Sequence, residues 1–272
     1  MQYLISDDHK ITVPRILQMK AEGEKVAMLT AYDYTMARLL DAAGVDILLV
    51  GDSGANTMAG YSTTLPITLD EMIVYTRGVV RGTKRAMVLL DMPFGSYQSS
   101  VEEAVKSAVR VIKETGCDGV KMEGGLEHIN AIRRLVECGI PVMGHLGLQP
   151  QRVNAYGGFA LRAKDEAEAA RLKADACLLQ EAGCFAVVLE KIPAALGREV
   201  TNALHIPTIG IGAGPYTDGQ VLVVQDMLGM SGDFRPKFLR TYANLGEQIT
   251  HAANHYVADV KQSEFPTLEE SY

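Results

Sequence analysis

Six ionisable side chains, Asp52, Asp91, Lys121, Glu123, His145 and Glu190, sit at the downstream ends of five short apolar runs. Ile47-Leu48-Leu49-Val50 runs into Gly51-Asp52-Ser53, Ala86-Met87-Val88-Leu89-Leu90 into Asp91, and Gly119-Val120 into Lys121-Met122-Glu123. Val142-Met143-Gly144 ends in His145 and Ala186-Val187-Val188-Leu189 in Glu190. Branched apolar runs of this length read as strands buried on both faces, each delivering polar groups where it surfaces. Carboxylates gathered at low dielectric repel one another unless a cation compensates. Oxygen ligands with no cysteine among them select Mg²⁺, or Mn²⁺, over zinc. Lys121 is placed to neutralise a carboxylate or phosphate of a substrate. Glu190 closes the most apolar run, surroundings that raise a carboxylate toward the range of a general base, and His145 in the GHLGL string reads equally as a structural histidine or as a catalyst. Metal, lysine and a separate carboxylate base point to carbon-acid chemistry, in which a chelated 2-oxo acid is deprotonated next to its carbonyl. The residue types leave the electrophile open.

The elements that must position these groups alternate along the chain. A helix opened by Thr12 or Val13, with Pro14 in its first turn, precedes Val26 to Thr30, the first strand, and is expected to cover the bottom of a barrel. Helices are predicted over Tyr34 to Ala43, Leu69 to Gly82, Ser99 or Ser100 to Gly116, Glu127 to Cys138, Asp165 to Ala182 and Pro193 to Leu204, most of them stopped by a glycine. Strands are predicted at each apolar run above, at Thr208 to Gly212 and, with the weakest pattern, at Val221 to Val224. Gly54 to Pro66 and Leu146 to Lys164 read as long loops without helical period, a length that usually carries function. Phe238 to about Lys261 reads as a closing helix. Eight strands alternating with helices imply a (β/α)₈ TIM barrel, an α/β fold whose active site gathers at the C-terminal strand ends. The competitor is a doubly wound sheet. It is disfavoured because the one glycine-rich string, Gly210-Ile211-Gly212-Ala213-Gly214, comes late and lacks a clear helix start after it.

At 272 residues and 29.5 kDa, with no linker or low-complexity tract, the chain is expected to form a single domain over 1–272. A formal charge of −7 with interspersed signs excludes a clustered basic face, and the absence of Trp removes stacking platforms, so nucleic acid is not an expected partner. No apolar stretch has the length of a signal peptide core or a membrane span, and the expected location is the cytoplasm. Cys117, Cys138, Cys177 and Cys184 show no CxxC spacing; between zinc or redox chemistry and buried free thiols, the second reading is taken. His128, His205, His251 and His255 read as surface or packing residues.

The strings TAYDYTMARL, LLVGDS, TLPIT, DMPFGSY, VKMEGG, PVMGHLGLQPQ, VNAYGGF, IPTIGIGAG and DGQVLVVQDMLG occur in this order over nearly the whole chain. Together they resemble the ketopantoate hydroxymethyltransferase family. The resemblance implies a (β/α)₈ enzyme that transfers a one-carbon unit from methylene-tetrahydrofolate to 3-methyl-2-oxobutanoate, giving 2-dehydropantoate on the route to pantothenate and coenzyme A. It implies that Asp52 and Asp91 bind Mg²⁺, with Glu123 in the metal shell directly or through water. Ser53 and Lys121 would contact the substrate, Glu190 would remove the C3 proton with His145 in the same cup, and the chain would form a homo-decamer.

Three stretches depart from the family's commonest pattern. Gly60-Tyr61-Ser62 stands where G-H-[DN] is usual, Phe159-Ala160-Leu161-Arg162-Ala163-Lys164 lacks the glycine and glutamine of V-Q-G-[RK], and the C-terminal stretch lacks a frequent histidine. These departures bear on loop closure and folate affinity. A metal-enolate barrel of the phosphoenolpyruvate mutase or isocitrate lyase type is the rival enzyme; its members carry a K-K-C-G-H string after a strand, which this sequence lacks. A barrel kept only as a scaffold is the non-enzymatic alternative, and the intact set of strand-end residues argues against it.

Overall fold

The structure, a computed structural model, describes residues 9–232 and 235–272; the sequence reading of residues 1–8 lies outside it. Contacts divide the chain after Val223 into two compact units. The first opens with helix α1 (Val13–Glu22), proline in its first turn and Gly23 in the left-handed conformation at its end. There follow β1 (Val26–Thr30), α2 (Tyr34–Ala42), β2 (Ile47–Val50), α3 (Gly54–Thr57), α4 (Leu69–Gly82), β3 (Met87–Asp91), α5 (Val101–Thr115) and β4 (Gly119–Glu123). The rest comprises α6 (Ile129–Glu137), β5 (Val142–Gly147), α7 (Val153–Tyr156), α8 (Glu166–Glu181), β6 (Ala186–Glu190), α9 (Ala194–Ala203), β7 (Thr208–Ile211) and β8 (Gly219–Leu222). The second unit holds α10 (Val224–Met227) and α11 (Leu245–Gln262).

The eight strands pair in parallel, each with its sequence neighbour, and β8 closes on β1. This is the (β/α)₈ barrel expected from the alternation of apolar runs and amphipathic helices. Ile16 and Met19 of α1 are buried with Val26, Ile47, Met87, Phe185 and Ile209 at or near the N-terminal ends of the strands, so α1 plugs the bottom of the barrel. Burial of such side chains stabilises by roughly 1.5–3 kcal/mol each. The helices start where the sequence offers caps: Asp33, Thr68, Ser100 and Asp165 each accept a hydrogen bond from a backbone N–H in the first turn.

Several expectations need correction. The segment from Gly54 is not wholly irregular: α3 forms directly after β2, its Ala55 buried and its Thr57 hydroxyl donating to the Ser53 carbonyl. β5 runs two residues further than expected, to Gly147, and the segment after it carries a 3-10 turn at Pro150–Arg152 and the short α7. β8 starts at Gly219, and Val224 begins α10 instead of ending a strand. Of the cysteines, Cys117 and Cys184 are buried as expected, whereas Cys138 and Cys177 are exposed. The closing helix starts at Leu245, not Phe238, because Tyr242 and Leu245 donate their backbone N–H groups to the Met227 and Leu228 carbonyls.

Candidate active site

Register brings the strand-end residues together. In the parallel ladder Asp91 lies beside Lys121, Glu123 beside His145, and Gly147 beside Glu190. Side chains alternate across a strand, so Lys121 and Glu123 face the same side while Met122 turns to the other. Two glycines make the approach possible. A Cβ on Gly147, where φ is +94°, would lie 2.2 Å from the Glu190 carbonyl oxygen, and one on Gly51 would lie 2.6 Å from Ser53 Oγ.

The contacts form two charged groups, Asp52 with Asp91 and Lys121, and Glu123 with His145 and Glu190. Lys121 Nζ donates to both oxygens of Asp91 at 2.7 Å, both side chains almost wholly buried. The backbone N–H of Asp52 reaches Asp91 Oδ2 at 3.4 Å. His145 sets Nδ1 3.5 Å from Glu123 Oε1 and Nε2 3.3 Å from Glu190 Oε2, contacts too poorly aligned to count as hydrogen bonds. Burial, with Asp91 and Glu123 adding like charge, raises the Asp52 carboxyl well above its usual range. Burial and the Lys121 charge work against protonation of His145, but the adjoining Glu123 and Glu190 carboxylates outweigh them and lift its pKa to about 9. Burial likewise opposes the charge on Lys121, and Asp91, Glu123 and Asp52 reverse it, so the ammonium holds its proton more tightly than usual.

The sequence pattern of the ketopantoate hydroxymethyltransferase family matches residues 10–268. The chain belongs to that family. The 3-methyl-2-oxobutanoate hydroxymethyltransferase of Bacteroides fragilis is 58% identical over 270 residues, covering 99% of both chains, and that of Phocaeicola vulgatus is 56% identical over the same coverage. Among solved structures, phosphonopyruvate hydrolase in complex with oxalate and Mg²⁺ superposes with a TM-score of 0.61 at 11% identity, covering 95% of this chain and 93% of that one. A 2,3-dimethylmalate lyase of the PEP mutase/isocitrate lyase superfamily gives 0.58 at 15% identity, covering 95% and 90%. These distant likenesses speak for the fold alone.

Within this member of the hydroxymethyltransferase family, all the strand-end residues singled out in the sequence belong to these two groups, which Gln151 bridges. Two have partners that the sequence did not show. Ser53 shares a hydrogen bond of 2.8 Å with the hydroxyl of Tyr32, a buried phenol pushed up to about 12 by desolvation. Glu190 is the least buried of the carboxylates, its side chain 20% exposed, and its neighbour is the His145 imidazole instead of an apolar wall. Sequence reasoning missed Gln151 and Tyr97. The Gln151 amide donates to Asp52 Oδ2 at 3.0 Å, its backbone N–H to Glu123 Oε2 at 3.1 Å, and it accepts from the Tyr97 hydroxyl at 2.8 Å. The signal available was their place in the LQPQ and FGSY strings that follow strand ends.

Four carboxyl groups here face two cationic side chains, and with all four ionised the excess is two negative charges, of the kind a divalent ion neutralises. Glu123 Oε1 is buried without a hydrogen-bond partner, so a hard cation has an oxygen to meet. In the arrangement described, Lys121 occupies both Asp91 oxygens, and among the described residues no three His, Cys, Asp or Glu side chains are already gathered closely enough to hold a metal ion. The donor set fits Mg²⁺ in charge and in chemistry.

Proposed function

We propose that the chain transfers a hydroxymethyl group from methylene-tetrahydrofolate to 3-methyl-2-oxobutanoate, giving 2-dehydropantoate for pantothenate and coenzyme A. The observation that carries this is the placement of Glu190 against His145, in the same cup as the Asp52, Asp91, Glu123 and Lys121 cluster. Such a cup holds a base next to groups that bind the oxo acid's polar end, which is what removal of a proton next to a carbonyl requires. Asp52, Asp91 and Glu123 would hold Mg²⁺ or Mn²⁺, whose charge polarises the keto group of a bound 2-oxo acid. Glu190 takes the C3 proton. His145, protonated at neutral pH, fixes the Glu190 carboxylate and spans to Glu123. Lys121 holds Asp91 in place and adds positive charge beside the substrate's carboxylate. Ser53, backed by Tyr32, offers a hydroxyl to the same end.

For the donor, a cavity of about 450 Å³ lies beyond Gln149, lined by Leu146, Tyr156, Arg162 and Leu172 among others. Gln149 links it to the cup by reaching the His145 carbonyl at 3.5 Å and accepting from the Tyr156 hydroxyl at 3.3 Å. The homo-decamer belongs to the same reading, by resemblance to the family. No described helix is long and apolar enough to cross a membrane, in keeping with a cytoplasmic enzyme.

One assay tests the reading. The protein is incubated with Mg²⁺ and 3-methyl-2-oxobutanoate in D₂O, with and without methylene-tetrahydrofolate. Exchange at C3 without donor and ketopantoate with donor are expected; absence of both sinks the proposal.

A further inference from the structure

We propose that Gln151 is a positioning residue for the reaction: its amide fixes Asp52, its backbone N–H fixes Glu123, and it thereby couples the segment after β5 to the cup. The inference rests on the assignment of Asp52 and Glu123 to the cation.

An amide side chain has two N–H donors and one carbonyl oxygen able to accept twice. Gln151 uses all of them. Nε2 donates to Asp52 Oδ2 at 3.0 Å and to the Met92 carbonyl at 2.9 Å, while Oε1 accepts from the Tyr97 hydroxyl at 2.8 Å and from Gln98 Nε2 at 3.0 Å. A flipped amide would set donor against donor at Gln98 and acceptor against acceptor at both Asp52 and Met92, so the orientation is settled by its partners. Gln151 is 6% exposed, and buried, fully satisfied networks of this kind hold their members in one geometry.

The partners come from the ends of three strands and the segments after them. Asp52 follows β2, Met92, Tyr97 and Gln98 follow β3, and Glu123 ends β4. Gln151 arrives from the segment after β5, 99 residues along the chain from Asp52. Tyr97 extends the network, because the Glu123 N–H donates to its oxygen at 3.2 Å. Asp52 is buried beside the Asp91 and Glu123 carboxylates, and Gln151 supplies its one side-chain donor among the bonds described. Loss of that donor leaves Asp52 free to turn and the segment after β5 free to lift.

Two substitutions in the full chain test this. Gln151→Met keeps the length and removes donors and acceptor; Tyr97→Phe removes one hydroxyl. Mn²⁺ affinity is read by electron paramagnetic resonance, kcat and KM by ketopantoate formation, and backbone amide exchange over residues 149–156 by mass spectrometry without ligands. In Gln151→Met, Mn²⁺ affinity falls by at least about tenfold and kcat by about 10–100-fold, with a smaller change in KM, as for loss of a group that orients a ligand residue. Exchange over 149–156 rises by about tenfold or more, since its tie is gone. Tyr97→Phe gives a weaker version of each effect, and the double variant is no worse than Gln151→Met, because both act through one network. Mn²⁺ affinity, kcat and exchange all within about twofold of the parent in folded Gln151→Met overturn the proposal, as does strict additivity in the double variant. Should Gln151→Met not fold, Tyr97→Phe decides: a drop in Mn²⁺ affinity supports the tie and parental affinity overturns it. A parent that binds no Mn²⁺ sinks the cation assignment instead, and amide exchange with the kinetic coupling then judges Gln151 alone.

Discussion

The imidazole of His145 touches two carboxylates with opposite edges, Glu123 at 3.5 Å through Nδ1 and Glu190 at 3.3 Å through Nε2. One cationic ring therefore ties the proposed base to the proposed cation site. Glu190→Gln keeps the shape of the side chain and removes its basicity. It should retain binding of 3-methyl-2-oxobutanoate, followed by calorimetry, while C3 exchange in D₂O slows by about 10²–10⁴-fold, the usual worth of a positioned base. Exchange at the parental rate would remove Glu190 from the role of base.

Asp91 and Lys121 form a buried ion pair of the cup, their side chains 3% and 5% exposed. Asp91→Ala leaves a buried ammonium unpaired, at a cost of about 3–5 kcal/mol, and should weaken Mn²⁺ and substrate binding together. The two effects separate in Asp91→Asn combined with Lys121→Met, which replaces the pair by groups of similar volume. Denaturant melts should show stability largely restored there while Mn²⁺ binding stays lost. Recovery of both would remove Asp91 from the cation site.

The legible parts of this site were those that local pattern determines. Asp52, Asp91, Lys121, Glu123, His145 and Glu190 each end an apolar run, so a reading of periodicity finds the strand and its terminal group in one step. Gln151, Tyr97 and Tyr32 lie in connecting segments, and their roles exist only through partners far along the chain. β8 was misplaced for a related reason: it is short, begins with Gly219-Gln220 and alternates in burial, so it shows no continuous apolar run. Phe238 to Asn244 has helical composition, yet hydrogen bonds to the Met227 and Leu228 carbonyls capture its end for another conformation.

Tyr156 separates donor binding from carbon-acid chemistry. Its ring lies under the Arg162 guanidinium at 4.0 Å and lines the cavity assigned to methylene-tetrahydrofolate. Tyr156→Ala removes an aromatic face worth about 0.5–2 kcal/mol toward a planar ligand or its charged neighbours. The expected outcome is a KM for the donor raised by about tenfold, with donor-free C3 exchange unchanged. An unchanged donor KM would place the donor elsewhere.

Ala163 tests what this chain's own departure from the family pattern does. Leu161-Arg162-Ala163-Lys164 stands where V-Q-G-[RK] is usual, and Ala163 has φ of +53°, a conformation that favours glycine. The residue is buried, and its N–H donates to Glu168 Oε2 at 2.7 Å, while Glu168 also pairs with Arg162. A left-handed alanine costs about 1–2 kcal/mol. Ala163→Gly relieves that cost but adds about 0.4–1 kcal/mol of entropy to the unfolded chain, so strain wins by about 0.5–1 kcal/mol. Denaturant melts should show a stabilised protein with an unchanged slope. A destabilised variant would mean that the Ala163 methyl contributes more by packing than the left-handed backbone costs, and the alanine would then be the fastening of this loop instead of its strain.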